Sequence, residues 1–162
     1  MALAVGEPAA RDARILAFAV PAALLGGAYI SQYVFGLYPC EMCWWQRYAH
    51  FAALALGALT LARPSARVLT ALAGIAILFA GLIGGYHAGV EYGWWEGLTA
   101  CTSQIDMSQD ALEAISAGPL IRCDQVQWSL LGISLAGFNF LISTAAAALI
   151  FALLRRATRA TS

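Results

Sequence analysis

Four stretches of this chain are apolar on every face for the length of a membrane crossing. They run from Ile15 to about Val34, from Trp44 to Ala62, from Val68 to about His87, and from Ser129 to Leu154. A helix needs about 20 such residues to cross roughly 30 Å of hydrocarbon. No 3.6-residue alternation of apolar and polar positions marks any of them, which points to lipid rather than water around them. Arg63-Pro64-Ser65-Ala66-Arg67 is all that joins the second stretch to the third, so a tight antiparallel hairpin is predicted there. Pro21 is expected to kink the first. In the third, Gly81, Gly85 and Gly89 recur every four residues and permit close helix approach. Gln32 and Asn139 are expected to face the interior and hydrogen-bond there. The predicted fold is an all-α, four-helix transmembrane bundle, one membrane domain over residues 1–162. Its outer segments lie at about 35–43 and 88–128, the longer one carrying a short interfacial helix.

Composition agrees with that pattern. Of 162 residues, 61% are hydrophobic and only 11% charged, with nine arginines, no lysine and nine acidic residues. Such a balance excludes a disordered chain, a basic nucleic-acid binder and an ordinary soluble enzyme. Arginine placement sets the expected orientation. Arg11, Arg14, Arg63, Arg67, Arg155, Arg156 and Arg159 all fall on one side of a four-span layout, and the positive-inside bias makes that side cytoplasmic. Both termini are then cytoplasmic. Removal of the first stretch as a signal peptide would place the turn and C-terminal arginines on opposite sides, so it is expected to stay. All five tryptophans and all six tyrosines lie in or near the outer half. An aromatic belt accounts for them, with or without a site for a flat ring.

The four cysteines, Cys40, Cys43, Cys101 and Cys123, are all expected outside, where disulfides persist. Nearest-neighbour pairing would join 40 to 43 and 101 to 123, one of three possibilities. Three chemical readings are open. Structural staples suit Cys101 and Cys123 but not the short Cys40–Cys43 ring, which removes little chain entropy and is prone to strain. A zinc site can use Cys-x-x-Cys, although the 21 residues between Cys101 and Cys123 are far more than a second knuckle needs. Thiol redox chemistry suits Cys-x-x-Cys directly, since one sulfur attacks while its neighbour resolves.

Residues after Cys43 bear on the choice. Cys43 stands near the start of the second span, where free N–H groups and the helix dipole favour a thiolate. Arg47 follows one turn later on the same face. An arginine within lipid costs roughly 2.5–3.5 kcal/mol on insertion scales, so either it snorkels to the headgroups or a negative charge offsets it. A thiolate at Cys43 or the oxygen of a ring under reduction would serve. His87, at the outer end of the third span, either hydrogen-bonds the same ring or simply sits at the interface. Oxidising a dithiol releases two electrons and two protons, and reducing a quinone to a quinol takes up two of each. A membrane thiol oxidase therefore needs neither flavin nor metal.

The sequence resembles the disulfide bond formation protein B (DsbB) family, quinone-linked thiol oxidases of bacterial inner membranes, over roughly residues 12 to 155. Its markers are Cys40-Glu41-Met42-Cys43-Trp44-Trp45-Gln46-Arg47, Tyr86-His87, Trp94-Trp95, Cys101 and Cys123-Asp124 leading to Trp128. The related vitamin K epoxide reductases carry the loop pair before Cys-x-x-Cys, the reverse of the order here. The resemblance implies that a reduced periplasmic DsbA-like protein attacks a Cys101–Cys123 disulfide, with Cys101 forming the mixed disulfide. Cys123 then engages Cys40, and electrons reach the Cys40–Cys43 pair. Cys43 meets a membrane quinone, ubiquinone ahead of menaquinone, with Arg47 stabilising the thiolate and the reduced ring, and His87 near the same ring. No metal is expected. Glu41 departs from the apolar residues the family often has between these cysteines and should disfavour thiolates. Asp110-Ala111-Leu112-Glu113 reads as a capping box and Gly118-Pro119 as a stop, predicting a helix of about seven residues on a movable arm.

Overall fold

The computed structural model describes residues 3–63, 65, 67–98 and 121–159, with side chains from residue 7 onward. Cys101 and the predicted 110–118 helix lie outside the described residues. Four helices dominate: α1 (Leu3–Tyr33), α2 (Glu41–Ala62), α3 (Arg67–Glu91) and α4 (Leu135–Arg159), the last preceded by two short strands, β1 (Ser129–Leu130) and β2 (Ile133–Ser134). Each helix packs on its sequence neighbours, and α4 closes on α1. This is an up-down-up-down bundle, its first two connections short and the one from α3 to α4 long.

Among the described residues three helices are long and apolar enough to cross a membrane: Glu7–Tyr33 of α1, α3 and α4. The expected fourth, α2, is a helix but falls short in apolarity. Its first turns bury Gln46, Arg47 and His50, side chains that lower its hydropathy although they face the bundle. Side-chain size is distributed as lipid would have it. The central cluster consists of Ala17, Ala53, Ala73, Ile77, Ala147 and Ile150, while Ile30, Leu72, Ile75, Phe79, Leu82, Leu141 and Leu149 point outward. Small residues inside and large apolar ones outside are the signature of helices that associate in a membrane.

Helix limits differ from the expected spans. Neither Gly6 nor Pro8 stops the helix, so α1 begins near the N-terminus and takes in Arg11 and Arg14. It also remains one continuous helix through Pro21. Pro21 has no N–H to offer Ala17 O, and that carbonyl lies where a Cβ on Gly57 would stand. The glycine thus lets α1 and α2 approach at the proline's gap. At the other end α3 continues to Glu91 and closes with Trp94 N–H donating to Gly89 O (2.8 Å) and Gly93 N–H to Val90 O (3.1 Å). Gly93, at φ +69°, makes this left-handed cap possible. The fourth span was expected from Ser129, yet residues 129–134 form a hairpin. Leu131 and Gly132 both take positive φ at its turn, and Ser134 Oγ then caps α4 by accepting from Gly137 N–H (3.1 Å).

The topology gathers the seven expected arginines at one end of the bundle. Cys40, Cys43 and Cys123 lie at the other.

Candidate functional site

Cys40 is the N-cap of α2, in extended conformation, and its sulfur accepts from Cys43 N–H at 3.3 Å. The Cys-x-x-Cys spacing is therefore also the N-cap to N3 spacing, and it brings the two sulfurs to 3.0 Å as free thiols. Cys123 is disulfide-bonded and fully buried. It shares one buried cluster with Cys40, Met42 and Val90, against which Cys43 packs. Three of the four cysteines thus meet at one end of the bundle, although Cys123 lies far along the chain from the Cys40–Cys43 pair.

Hydrogen bonds behind the cysteines fix the state of each partner. Asn139 Nδ2 donates to Ala80 O (3.1 Å) and to Gln46 Oε1 (2.7 Å). Gln46 Nε2 then donates to Met42 O (3.2 Å) and to His87 Nδ1 (3.0 Å). His87 therefore carries its proton on Nε2, which faces Cys123 O at 3.2 Å and Cys40 Sγ at 3.5 Å. Main-chain carbonyls only accept, so Ala80, Met42 and Cys123 anchor every orientation in the chain. His87, expected near the ring or at the interface, faces Cys40 and Cys123 from Nε2 and also lines the cavity beside them.

Three groups converge on the Cys40 sulfur: the Cys43 side chain, the Cys43 N–H and His87 Nε2. A hydrogen bond from the Cys43 side chain, opposed by burial and helped by His87, lowers the Cys40 thiol to about 4. The thiolate was expected on Cys43. The N–H groups of Cys43 and His87 that converge on Cys40 favour a thiolate there. Arg47 is 6% exposed and does not snorkel. Its guanidinium donates to Gln32 Oε1 (2.6 Å) and Ala28 O (3.1 Å) on α1, and lies 4.8 Å from the Tyr29 ring and 5.0 Å from that of Trp44. Among the described residues these hydrogen bonds tie Arg47 to α1 rather than to Cys43. Gln32 and Asn139 face the interior, as their polarity required.

Cys40, Cys43 and His87 also bring potential metal-ligand atoms within 4.8 Å of one another. The network argues against coordination by this histidine, because Nε2 is its protonated nitrogen and is turned to a carbonyl. Beside the cysteines opens a cavity of about 250 Å³ lined by Cys43, Arg47, His50, His87, Glu91 and Asn139 among others. A void of roughly 150 Å³ accommodates benzene, so a substituted six-membered ring fits. His50 escaped the sequence reading. A polar residue one turn beyond Gln46 in an otherwise apolar span was the available signal.

The family model for disulfide bond formation protein DsbB matches residues 10–153. The chain belongs to the DsbB family. A disulfide bond formation protein B from Aromatoleum aromaticum is 35% identical over 138 residues, 78% of this chain and 81% of the relative. One from Verminephrobacter eiseniae is 32% identical over 156 residues, covering 90% and 85%. No solved structure matches. Membership of the DsbB family makes this a membrane protein of disulfide bond formation, and the apolar helices agree.

Proposed function

We propose that the chain oxidises the dithiol of a DsbA-like periplasmic protein and passes the electrons to a membrane quinone. The buried meeting of Cys123 with the Cys40–Cys43 pair, at the mouth of a ring-sized cavity, is the observation that carries this reading. In it, α2 is a fourth crossing whose polar side chains face inward, the arginine end is cytoplasmic, and the cysteine end faces the periplasm of a bacterial inner membrane.

The chemistry balances. The partner's thiolate attacks Cys101 of a Cys101–Cys123 disulfide, releasing Cys123 as the leaving thiolate. The partner's second thiol resolves the mixed disulfide and leaves with its own disulfide. Cys123 then attacks Cys40 of the oxidised pair and releases Cys43, and Cys101 closes the first disulfide again. Two electrons and two protons have now reached the Cys40–Cys43 dithiol. A bound quinone would supply the oxidising capacity, as acceptor of the two electrons and two protons released when the pair closes. Arg47 would hold a ring oxygen and offset its growing negative charge, while the apolar walls keep water away from the thiols. Stabilising the Cys40 thiolate stabilises the reduced pair and so makes its disulfide a stronger oxidant.

Purified protein given a reduced DsbA-like partner and ubiquinone should form quinol, followed by ultraviolet absorbance. Absence of quinol with a competent partner overturns the reading. Thiol trapping separates the rivals: a structural staple stays oxidised whatever the quinone, and a zinc site responds to a chelator.

A further inference from the structure

Two buried side-chain atoms among the described residues have no hydrogen-bond partner, His50 Nδ1 and Glu91 Oε2, and both residues line the cavity beside Cys43. His50 is 4% exposed, which removes its nitrogen from bulk solvent. An unmet polar atom in such a place costs free energy comparable to a lost hydrogen bond. Its chemical state follows from its neighbours. Asn139 spends Nδ2 on Ala80 O and Gln46 Oε1, which leaves Asn139 Oδ1 as an acceptor. That oxygen accepts from Ser143 Oγ (2.8 Å) and from His50 Nε2 (2.8 Å). His50 therefore carries its proton on Nε2, and Nδ1 presents a bare lone pair.

We propose that His50 Nδ1 is a binding group for the reduced ring, accepting a hydrogen bond from a quinol hydroxyl in the cavity it shares with Arg47. This rests on the quinone reading above and assigns a residue to one redox state of its ligand. A quinone offers only acceptor oxygens, which suit the donors of Arg47 and meet the Nδ1 lone pair unfavourably. A quinol offers two O–H donors. The cavity thus has a donor wall, Arg47, and an acceptor wall, His50, and the second distinguishes product from substrate. Asn139 and Ser143 are positioning residues, since they hold the tautomer without facing the ring through it.

The test compares ubiquinone-1 and its quinol. In H50L the inhibition constant for ubiquinol-1 should rise about five- to tenfold, the loss of one hydrogen bond, while KM for ubiquinone-1 changes less than about twofold. H50Q keeps a donor for Asn139 and an acceptor for the ring, and should restore most quinol affinity. Equal weakening of both ligands, or of neither, overturns the assignment. If H50L fails to fold, ¹⁵N-histidine spectra of the unmodified protein decide. The chain has two histidines, and H50Q identifies the signal. An unprotonated Nδ1 that shifts with ubiquinol-1 but not with ubiquinone-1 supports the proposal; a protonated Nδ1, or no shift, defeats it. Protein that reduces no quinone at all would defeat the parent reading instead.

Discussion

The two halves of α2 solve opposite problems with one helix. Its first half buries Gln46, Arg47 and His50, each held by partners on other helices. Its second half buries Ala53, Gly57 and Thr60, and there the Thr60 hydroxyl simply donates to Gly57 O of its own helix (2.7 Å). Both halves pack, but only the first keeps groups that are costly to hold away from water. Polar burial follows the cysteines and the cavity, whereas small-residue burial follows the helix contacts. Substitutions at the two ends should therefore fail in different ways.

The largest contrast pairs C43S with G57L. C43S should abolish quinol formation while leaving the thermal midpoint nearly unchanged and the Cys101–Cys123 pair still able to trap a DsbA-like protein. Normal quinol production in C43S would put the relay in the wrong order. G57L should show the reverse signature. A side chain at Gly57 collides with the main chain of Ala17 and Phe18, and overpacking of this kind costs about 1–3 kcal/mol or more. Whatever fraction folds should retain the unmodified protein's KM for quinone. A shifted KM would mean that the packing half also shapes the cavity.

R47Q comes next. Charged hydrogen bonds contribute roughly 1.5–3 kcal/mol, and R47Q should raise KM for quinone about ten- to a hundredfold with a smaller effect on thermal stability. Unchanged activity across a quinone titration would remove Arg47 from the site and leave it as a tie between α1 and α2.

Cys40 makes a pH-dependent prediction. Its thiol is lowered from an ordinary 9.0 to about 4 in the fold, first by the Cys43 side chain. Between those values the unfolded chain binds a proton that the folded, reduced protein does not, so stability rises with pH there. The contribution is complete above about 9 and is lost as pH falls toward 4. Denaturant midpoints of the fully reduced protein should follow that slope, and C40S should flatten it. Parallel profiles for the two proteins would mean that Cys40 carries no thiolate.

How much of this was legible varied with the physics. Apolar length and arginine placement marked four helices, because those signals are local to each segment. The ends of α1 and α3 were not legible, since α1 runs through Gly6 and Pro8 without stopping and lipid thickness does not set the stop of either helix. The 129–134 hairpin was hidden in an apolar run, with Gly132 and the Ser134 cap as its overlooked cues. The Cys40–Cys43 pair and Arg47 stood out by motif, and Gln32 and Asn139 by polarity. That Asn139 sets the tautomers of His50 and, through Gln46, His87 depends on three helices meeting, which no spacing along one of them reveals.

The smallest expected effect belongs to Glu41, which stands between the two cysteines yet is exposed at the first turn of α2. Its negative charge opposes a thiolate at Cys40, so E41Q should make the pair more oxidising. Solvent screens an exposed charge, and such interactions contribute roughly 0–1 kcal/mol. Since about 30 mV corresponds to about 1.4 kcal/mol for a two-electron couple, the potential should rise by less than about 20 mV. Redox titration of the Cys40–Cys43 pair in both proteins measures this directly. A larger shift would mean that Glu41 acts from within the low-dielectric site, and the boundary between the buried polar half of α2 and its exposed first turn would have to move.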